Sequence, residues 1–221
     1  MAGRLYGVET EVVIPFHGDC PHRLKALEFT RKRYPWPVTV AEGGEPWSKG
    51  AALRPAIEAS SADIIVIADA DCWTDGLPAA LEAVEQGAAF AIPHRRVLRL
   101  SEESTTHYMR TGEVRHPFDR RPYTGMAGGG FVVAPRETLL DCPPDPRFVG
   151  WGQEDESWAL ALTCLHGMPW RGDADLIHLW HPPAPRMSRR KGSPESWALY
   201  RRYRDAARDP LAMRKLIEEA T

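Results

Sequence analysis

Ile64-Ile65-Val66-Ile67-Ala68 is short, continuously apolar and mostly β-branched, and it stops at Asp69-Ala70-Asp71. Such a run reads as a strand buried in the middle of a sheet. The segments around it repeat one alternation. Glu11–Phe16 reads as a strand, and Pro21–Tyr34 as a helix with Leu24, Ala26 and Leu27 facing inward. Val38–Ala41 is a short strand ending at Glu42-Gly43-Gly44. Ser48–Ser60 is a helix that Pro55 is expected to kink or break. Leu77–Glu85 is a helix and Ala88–Pro93 a further apolar strand. This β-α-β-α-β order predicts an α/β fold: a Rossmann-like sheet flanked by helices.

The two carboxylates therefore stand at the carboxyl edge of a parallel sheet, where open α/β folds bind their ligands. Two hard oxygen ligands one residue apart suit Mg²⁺ or Mn²⁺, which bind through a few carboxylates together with substrate phosphates. The bland alternative is an acidic, solvated strand end. Glu42 ends the second strand on the same edge and can accept hydrogen bonds from a base or ribose, or simply flank a turn. Lys49 opens the next helix and can reach a phosphate as a point charge, or lie solvated. Asp19, Arg23 and Arg54 are equally ambiguous.

Composition narrows the classes. The chain has 221 residues, 43% hydrophobic and 26% charged, with a net charge of -2. That balance gives no global electrostatic case for nucleic acid or an anionic membrane. Cys20, Cys72, Cys142 and Cys164 are scattered without a C-x-x-C pair, which argues against a zinc site or a disulfide framework. No stretch is long and apolar enough to span a bilayer, and the first residues do not read as a signal peptide, so a cytoplasmic location is expected. Of the eight tryptophans, most are expected in the core.

Beyond Pro93 the pattern loosens. Arg95–Leu100 reads as a strand, Ser101–Arg110 as a polar helix, and Thr111–Arg121 as irregular. Gly125 to Gly130, with Gly129 and Gly130 at its end, leads into a strand at Phe131–Ala134. Gly150-Trp151-Gly152-Gln153-Glu154-Asp155-Glu156 precedes a helix running to Leu165. The glycines permit unusual dihedrals, the Trp offers a flat apolar face, and adjacent carboxylates at a helix start can divide labour: one binds an acceptor, the other removes its proton. A dipole-favoured acidic N-terminus explains the acids alone, but not Trp151 and the glycines. Leu176–Trp180 is a strand closing on His178-Leu179-Trp180-His181-Pro182, where a His can complete a metal shell begun by Asp71. Pro182–Pro194 reads as a mobile loop, and Glu195–Arg208 and Leu211–Ala220 as helices. One continuous domain is expected over 1–221. It divides into a nucleotide-sugar half (10–100), an acceptor half (123–182), and a mobile loop with C-terminal helices (183–221).

In this order the motifs are recognisable. VVIPF, AEGG, SKGAALRPAIEAS and IIVIADAD resemble a family 2 type glycosyltransferase of the GT-A fold. AGGGFVVAPRETLL followed by FVGWGQEDESWALAL resembles the acceptor-side segment of β-1,4-galactosyltransferases, polypeptide N-acetylgalactosaminyltransferases and chondroitin-polymerase-like enzymes. IHLWHPP resembles their metal-histidine region. The resemblance spans Thr10 to Pro183 and implies a role for each matching position. Glu42 and Lys49 would contact the nucleotide, and Asp69 the ribose or donor sugar. Asp71 and His178, with His181 as the alternative, would ligate Mn²⁺ or Mg²⁺. Gly129 and Gly130 would leave room for the sugar, and Trp151 would lie against donor and acceptor. Glu154 would hold the acceptor hydroxyl, and Asp155 would be the general base. Arg186, Arg189 and Arg190 are further candidates to stabilise the leaving group. Two departures are visible: Gln153 stands where the galactosyltransferases usually carry Gly, and the family's Asn in the helix after the lysine is either replaced by Arg54 or absent.

The implied activity is a metal-dependent, inverting transfer from a nucleoside-diphosphate sugar, most simply a UDP-sugar, to an acceptor hydroxyl. The acceptor class stays open among saccharide, glycolipid, protein and modified nucleic acid. A nucleotidyltransferase is the competing enzyme, but His17-Gly18-Asp19-Cys20 is not its Gly-rich basic loop. A catalytically silent nucleotide-sugar-binding module is the non-enzymatic alternative.

Overall fold

The computed structural model describes residues 4–5, 8–18, 20–122, 129–182 and 192–220. In chain order the elements are β1 (Arg4–Leu5), β2 (Val8–Phe16), α1 (Pro21–Arg31), β3 (Val38–Glu42), α2 (Lys49–Ala59), β4 (Ile64–Ala68), β5 (Cys72–Trp73), α3 (Leu77–Glu85), β6 (Ala91–Arg99), α4 (Glu102–Thr111), β7 (Asp119–Pro122), β8 (Phe131–Pro135), α5 (Arg136–Asp141), α6 (Glu154–His166), β9 (Trp170–His178), α7 (Pro194–Ala206) and α8 (Pro210–Glu218).

One mixed sheet runs through β2, β4, β8, β6, β9 and β5, with β1 and β3 both on β2 and β7 on β6. β2 pairs in parallel with β3 on one side and β4 on the other. The chain thus crosses outward to β3 and returns past β2 to β4. That reversal opens a crevice at the carboxyl ends of β2 and β4. β8 then pairs antiparallel to β4, and β9 runs parallel to β6.

The run predicted to be a buried strand is β4, and all five of its residues are buried. Its side chains alternate between two cores. Ile64, Val66 and Ala68 join residues of α1 and α3 on one face. Ile65 and Ile67 join residues of α2, α5, α6, α7 and α8 on the other. Each of the Ile and Val side chains contributes roughly 1.5–3 kcal/mol when fully buried.

Several expectations are corrected. On α1, Ala26 and Leu27 are buried but Leu24 is 41% exposed; the inward position belongs to Thr30. α2 continues through Pro55 without the break a mid-helix proline predicts. Pro55 and Ala51, whose carbonyl loses its partner, both face solvent, so water can take the place of the missing N–H. The two strands read at Ala88–Pro93 and Arg95–Leu100 are one strand, β6. The strand read at Leu176–Trp180 ends at His178 and begins earlier, at Trp170. The four cysteines are free. Among the described residues, no helix is long and apolar enough to cross a membrane.

Candidate active site

Asp69 follows β4 directly, and both of its carboxylate oxygens are engaged. Gly130 N–H donates to Oδ2 (3.0 Å), while Asp69 N–H donates back to the Gly130 carbonyl (2.8 Å). Lys49 Nζ donates to Oδ1 at 2.9 Å. The same ammonium donates to Asp155 Oδ1, also at 2.9 Å. Lys49 is brought there by the start of α2, where Ser48 caps the helix by accepting from Ala51 N–H (3.3 Å) and donates its own proton to the Pro146 carbonyl (2.9 Å). Burial works against the lysine's charge, but Asp155 and Asp69 outweigh it and hold its pKa well above the usual value. Burial likewise penalises ionised Asp69, yet Lys49, His178 and the Gly130 N–H together hold it below the ordinary carboxylate range.

Gly130 adopts φ +103°, and a Cβ there would overlap Leu176 of β9. A side chain at this position is therefore excluded by Leu176. What the glycine supplies is close packing and an N–H aimed at Asp69. Gly129, beside it, is half-buried.

The acceptor-side motif is a left-handed turn. Gly150, Gly152 and Gln153 have φ of 79°, 118° and 71°. Gly150 N–H donates to the Trp47 carbonyl (2.8 Å), tying the turn to the loop before α2. Gly152 N–H donates to Glu154 Oε2 at 2.6 Å. The turn projects Trp151, 49% exposed, and delivers Glu154 and Asp155 to the first turn of α6. Burial and then repulsion from Asp155 push Glu154 up to about 7. Burial also raises Asp155, with Lys49 pulling down and Asp69 pushing up.

Asp71, His178 and His181 form the third group, their ligand atoms all within 4.8 Å of one another. The antiparallel ladder of β5 on β9 sets Cys72 opposite His178. Leu179 N–H donates to the Asp71 carbonyl (2.8 Å), holding the following residues in place. His181 Nε2 lies 3.4 Å from Asp71 Oδ2. The sequence reading treats the two histidines as alternatives; the fold brings both together. Burial lowers His178 despite the nearby Asp71, which favours the neutral imidazole a cation needs. One carboxylate and two imidazoles make a donor set that fits a divalent cation.

Arg23, ambiguous in the sequence, belongs to this site. Its Nε lies 3.5 Å from Asp71 Oδ2, and its guanidinium lies between the rings of Phe16 (5.4 Å) and Trp151 (5.2 Å). Trp47 extends the aromatic wall, 6.4 Å from Trp151 and stacked on His17 at 5.2 Å. The signal in the sequence is position alone, since Arg23 lies one turn into the helix after β2. Glu42 ends β3, exposed, with no partner among the described residues. Arg54 is turned to a structural task, donating to the Pro144 and Ala220 carbonyls. Asp19, Arg186, Arg189 and Arg190 lie outside the described residues, as do Gly125–Gly128 of the glycine segment.

No curated protein sequence matches the chain. Solved structures match it in fold. GalNAc-T7, solved with UDP, GalNAc and Mn²⁺, superposes with a TM-score of 0.56 at 13% identity, over 96% of this chain and 54% of that one. The chain thus spans about half the length of that protein. The catalytic domain of Drosophila β1,4-galactosyltransferase 7, solved with xylobiose, superposes with a TM-score of 0.51 at 13% identity, over 87% of this chain and 79% of that one. The mixed sheet flanked by helices is the GT-A fold of these glycosyltransferases. The family model for glycosyl transferase family 2 matches residues 19–139, a span holding Glu42, Lys49, Asp69 and Asp71. With more than half of its length matched, the chain belongs to glycosyl transferase family 2.

Proposed function

We propose that the protein is a divalent-metal-dependent, inverting glycosyltransferase. It moves a hexosyl or N-acetylhexosaminyl group from a nucleoside-diphosphate sugar to an acceptor hydroxyl. The observation that carries this reading is one continuous arrangement at the sheet edge. Asp71 gathers two histidines, and two residues away Asp69 is bridged by Lys49 to Asp155. GalNAc-T7 is described with UDP, GalNAc and Mn²⁺, which makes a UDP-sugar the first donor to test.

Asp71, His178 and His181 would hold the cation. One oxygen and two nitrogens suit Mn²⁺ better than the harder Mg²⁺, which prefers oxygens and water. Such a cation supplies charge neutralisation to the leaving diphosphate. Arg23, a fixed positive charge beside Asp71, adds to that neutralisation. Glu42 offers a free acceptor to the nucleoside, and Trp151 an exposed face for a sugar ring.

Asp155 takes the proton of the acceptor hydroxyl as that oxygen attacks the anomeric carbon. The new carbon–oxygen bond forms on the face opposite the one that breaks, and the diphosphate leaves with the electron pair. Attack from the opposite face inverts the configuration, so an α-linked donor yields a β-linked product. Glu154 holds the acceptor hydroxyl beside the base. The acceptor itself is to be sought among saccharides, glycolipids, proteins and modified nucleic acids.

A thermal-shift and calorimetric screen of UDP, GDP, CDP and TDP sugars, each with Mn²⁺, Mg²⁺ or EDTA, tests this. Stabilisation by one nucleotide sugar, dependent on metal and lost in Asp71→Ala, is the expected result. Absence of binding by every donor with every metal would overturn it and leave a module that has lost the activity.

A further inference from the structure

Lys49 is the residue whose observed position departs furthest from a phosphate-binding role. An ammonium has three donors, and two are spent at 2.9 Å on Asp69 Oδ1 and Asp155 Oδ1. Its side chain is 11% exposed. Swinging Nζ out to a phosphate would leave two half-buried carboxylates facing each other with no cation between them, which is unfavourable. Asp69 is equally committed, with Lys49 on one oxygen and the Gly130 N–H on the other. Asp155 is different. Only its Oδ1 has a partner among the described residues.

We infer that Lys49 is a positioning residue for Asp155: it grips one carboxylate oxygen, is itself held by Asp69, and leaves the other oxygen to receive the acceptor's proton. The inference rests on the reading of Asp155 as the base. It changes the part played by the first carboxylate of the D-x-D pair. Asp69 acts on the acceptor side of the reaction, through the lysine, as a fixed strut between β4 and α6. The glycine at 130 belongs to the same strut, because its N–H holds Asp69 Oδ2 while Oδ1 meets Nζ.

The charged groups facing Asp155 are Lys49 from α2, Asp69 from the end of β4, and Glu154 from its own helix. Neutralising the lysine removes the one attraction among two repulsions. Protein labelled with ¹³C at Asp carboxyls, with the Asp155 resonance assigned through Asp155→Asn, reports its protonation directly. In Lys49→Met the Asp155 midpoint is expected to rise by about one unit or more, while calorimetric binding of UDP with Mn²⁺ stays at the wild-type affinity. Lys49→Arg keeps the charge but changes its reach, so the midpoint should hold and UDP affinity should hold. Turnover, once an acceptor is known, should then fall about 10²-fold from misplacement. If Lys49→Met does not fold, Lys49→Gln, which is neutral and still donates a hydrogen bond, serves the same comparison. Loss of UDP affinity in either lysine variant, with the Asp155 midpoint unmoved, would make Lys49 a phosphate ligand and overturn the inference. Failure of the wild type to bind UDP would defeat the donor assignment instead, and the Asp155 titration would still decide the role of the lysine.

Discussion

At the scale of single residues, the proposed chemistry rests on two adjacent carboxylates in unlike settings. Asp155 hangs on Lys49, whereas Glu154 turns back to Gly152 N–H. Asp155→Asn should lower the transfer rate by roughly two to four orders of magnitude while UDP–Mn²⁺ affinity, read by calorimetry, is retained. The two acids titrate as a pair, with Glu154 raised to about 7 by burial and by its neighbour. A base and a hydroxyl acceptor both work unprotonated. Activity should therefore be full above that step and fall as pH drops through it. Glu154→Gln should remove the upper step and leave one acidic limb at lower pH, measured as kcat/KM against pH. Gln153 carries a different burden, since its φ of 71° is one that glycine adopts freely. Gln153→Gly should stabilise the fold by about 0.5–1 kcal/mol in a urea titration, the left-handed strain relieved exceeding the added chain entropy. Much of this is visible in the sequence. A carboxylate pair straight after an apolar run has its place set by local pattern. The partnership of Lys49 with Asp155 is not visible, because 106 residues separate them and only the tertiary fold closes that distance. Arg23 escaped for the same reason, as nothing local distinguishes it from the other basic residues of α1.

At the scale of elements, the acceptor turn is held from behind by the C-terminal helices. Asp145, 4% exposed as a side chain, accepts from Arg147 and from the Tyr203 hydroxyl of α7 (2.8 Å). Arg147 also donates to the Leu216 carbonyl of α8 (2.8 Å). On the other side, Gly50 of α2 lies so close to the Asp145 backbone that a Cβ would overlap it at 2.5 Å. Asp145→Ala leaves the buried Tyr203 hydroxyl without its acceptor and takes from Arg147 one of its two carboxylates, Glu219 being the other, and should cost about 1–3 kcal/mol in a guanidinium melt. The boundaries of β4 and α3 were legible because continuous apolarity and strong helical amphipathicity each admit one structure. β5 and β7 were not. The first is two residues long and exists because β9 lies alongside; the second is Asp-Arg-Arg-Pro, whose strand geometry comes from pairing with β6. α5, six residues long, is too brief to show a period.

At the scale of the whole molecule, the reversal of strand order around β2 places one ligand crevice between segments remote in sequence. Binding there should feed back on global stability. At Mn²⁺ one hundred times its dissociation constant, linkage predicts about 2.7 kcal/mol, which for a chain of this size is a rise in Tm of roughly 5–10 °C. The rise should vanish with EDTA, be absent in Asp71→Ala, and be reduced in both His178→Ala and His181→Ala, since both histidines face Asp71.

The two-residue ladder of β5 on β9 has a consequence for how this chain can change length over generations. Because side chains alternate sides with every residue of a strand, losing or gaining one position between Asp71 and Trp73 would shift β5 against β9, which β6 holds in register, and so displace Asp71 from His178. Indels there would be silent to composition and fatal to the proposed cation site. The mostly exposed connection from Glu113 to Phe118, anchored by Val114 on the core and by Phe118 N–H on the Arg99 carbonyl, has no ladder of its own and can drift in length between those anchors. Lineages of this family should accordingly diverge in size at that connection while the spacing from Asp69 to Trp73 stays invariant.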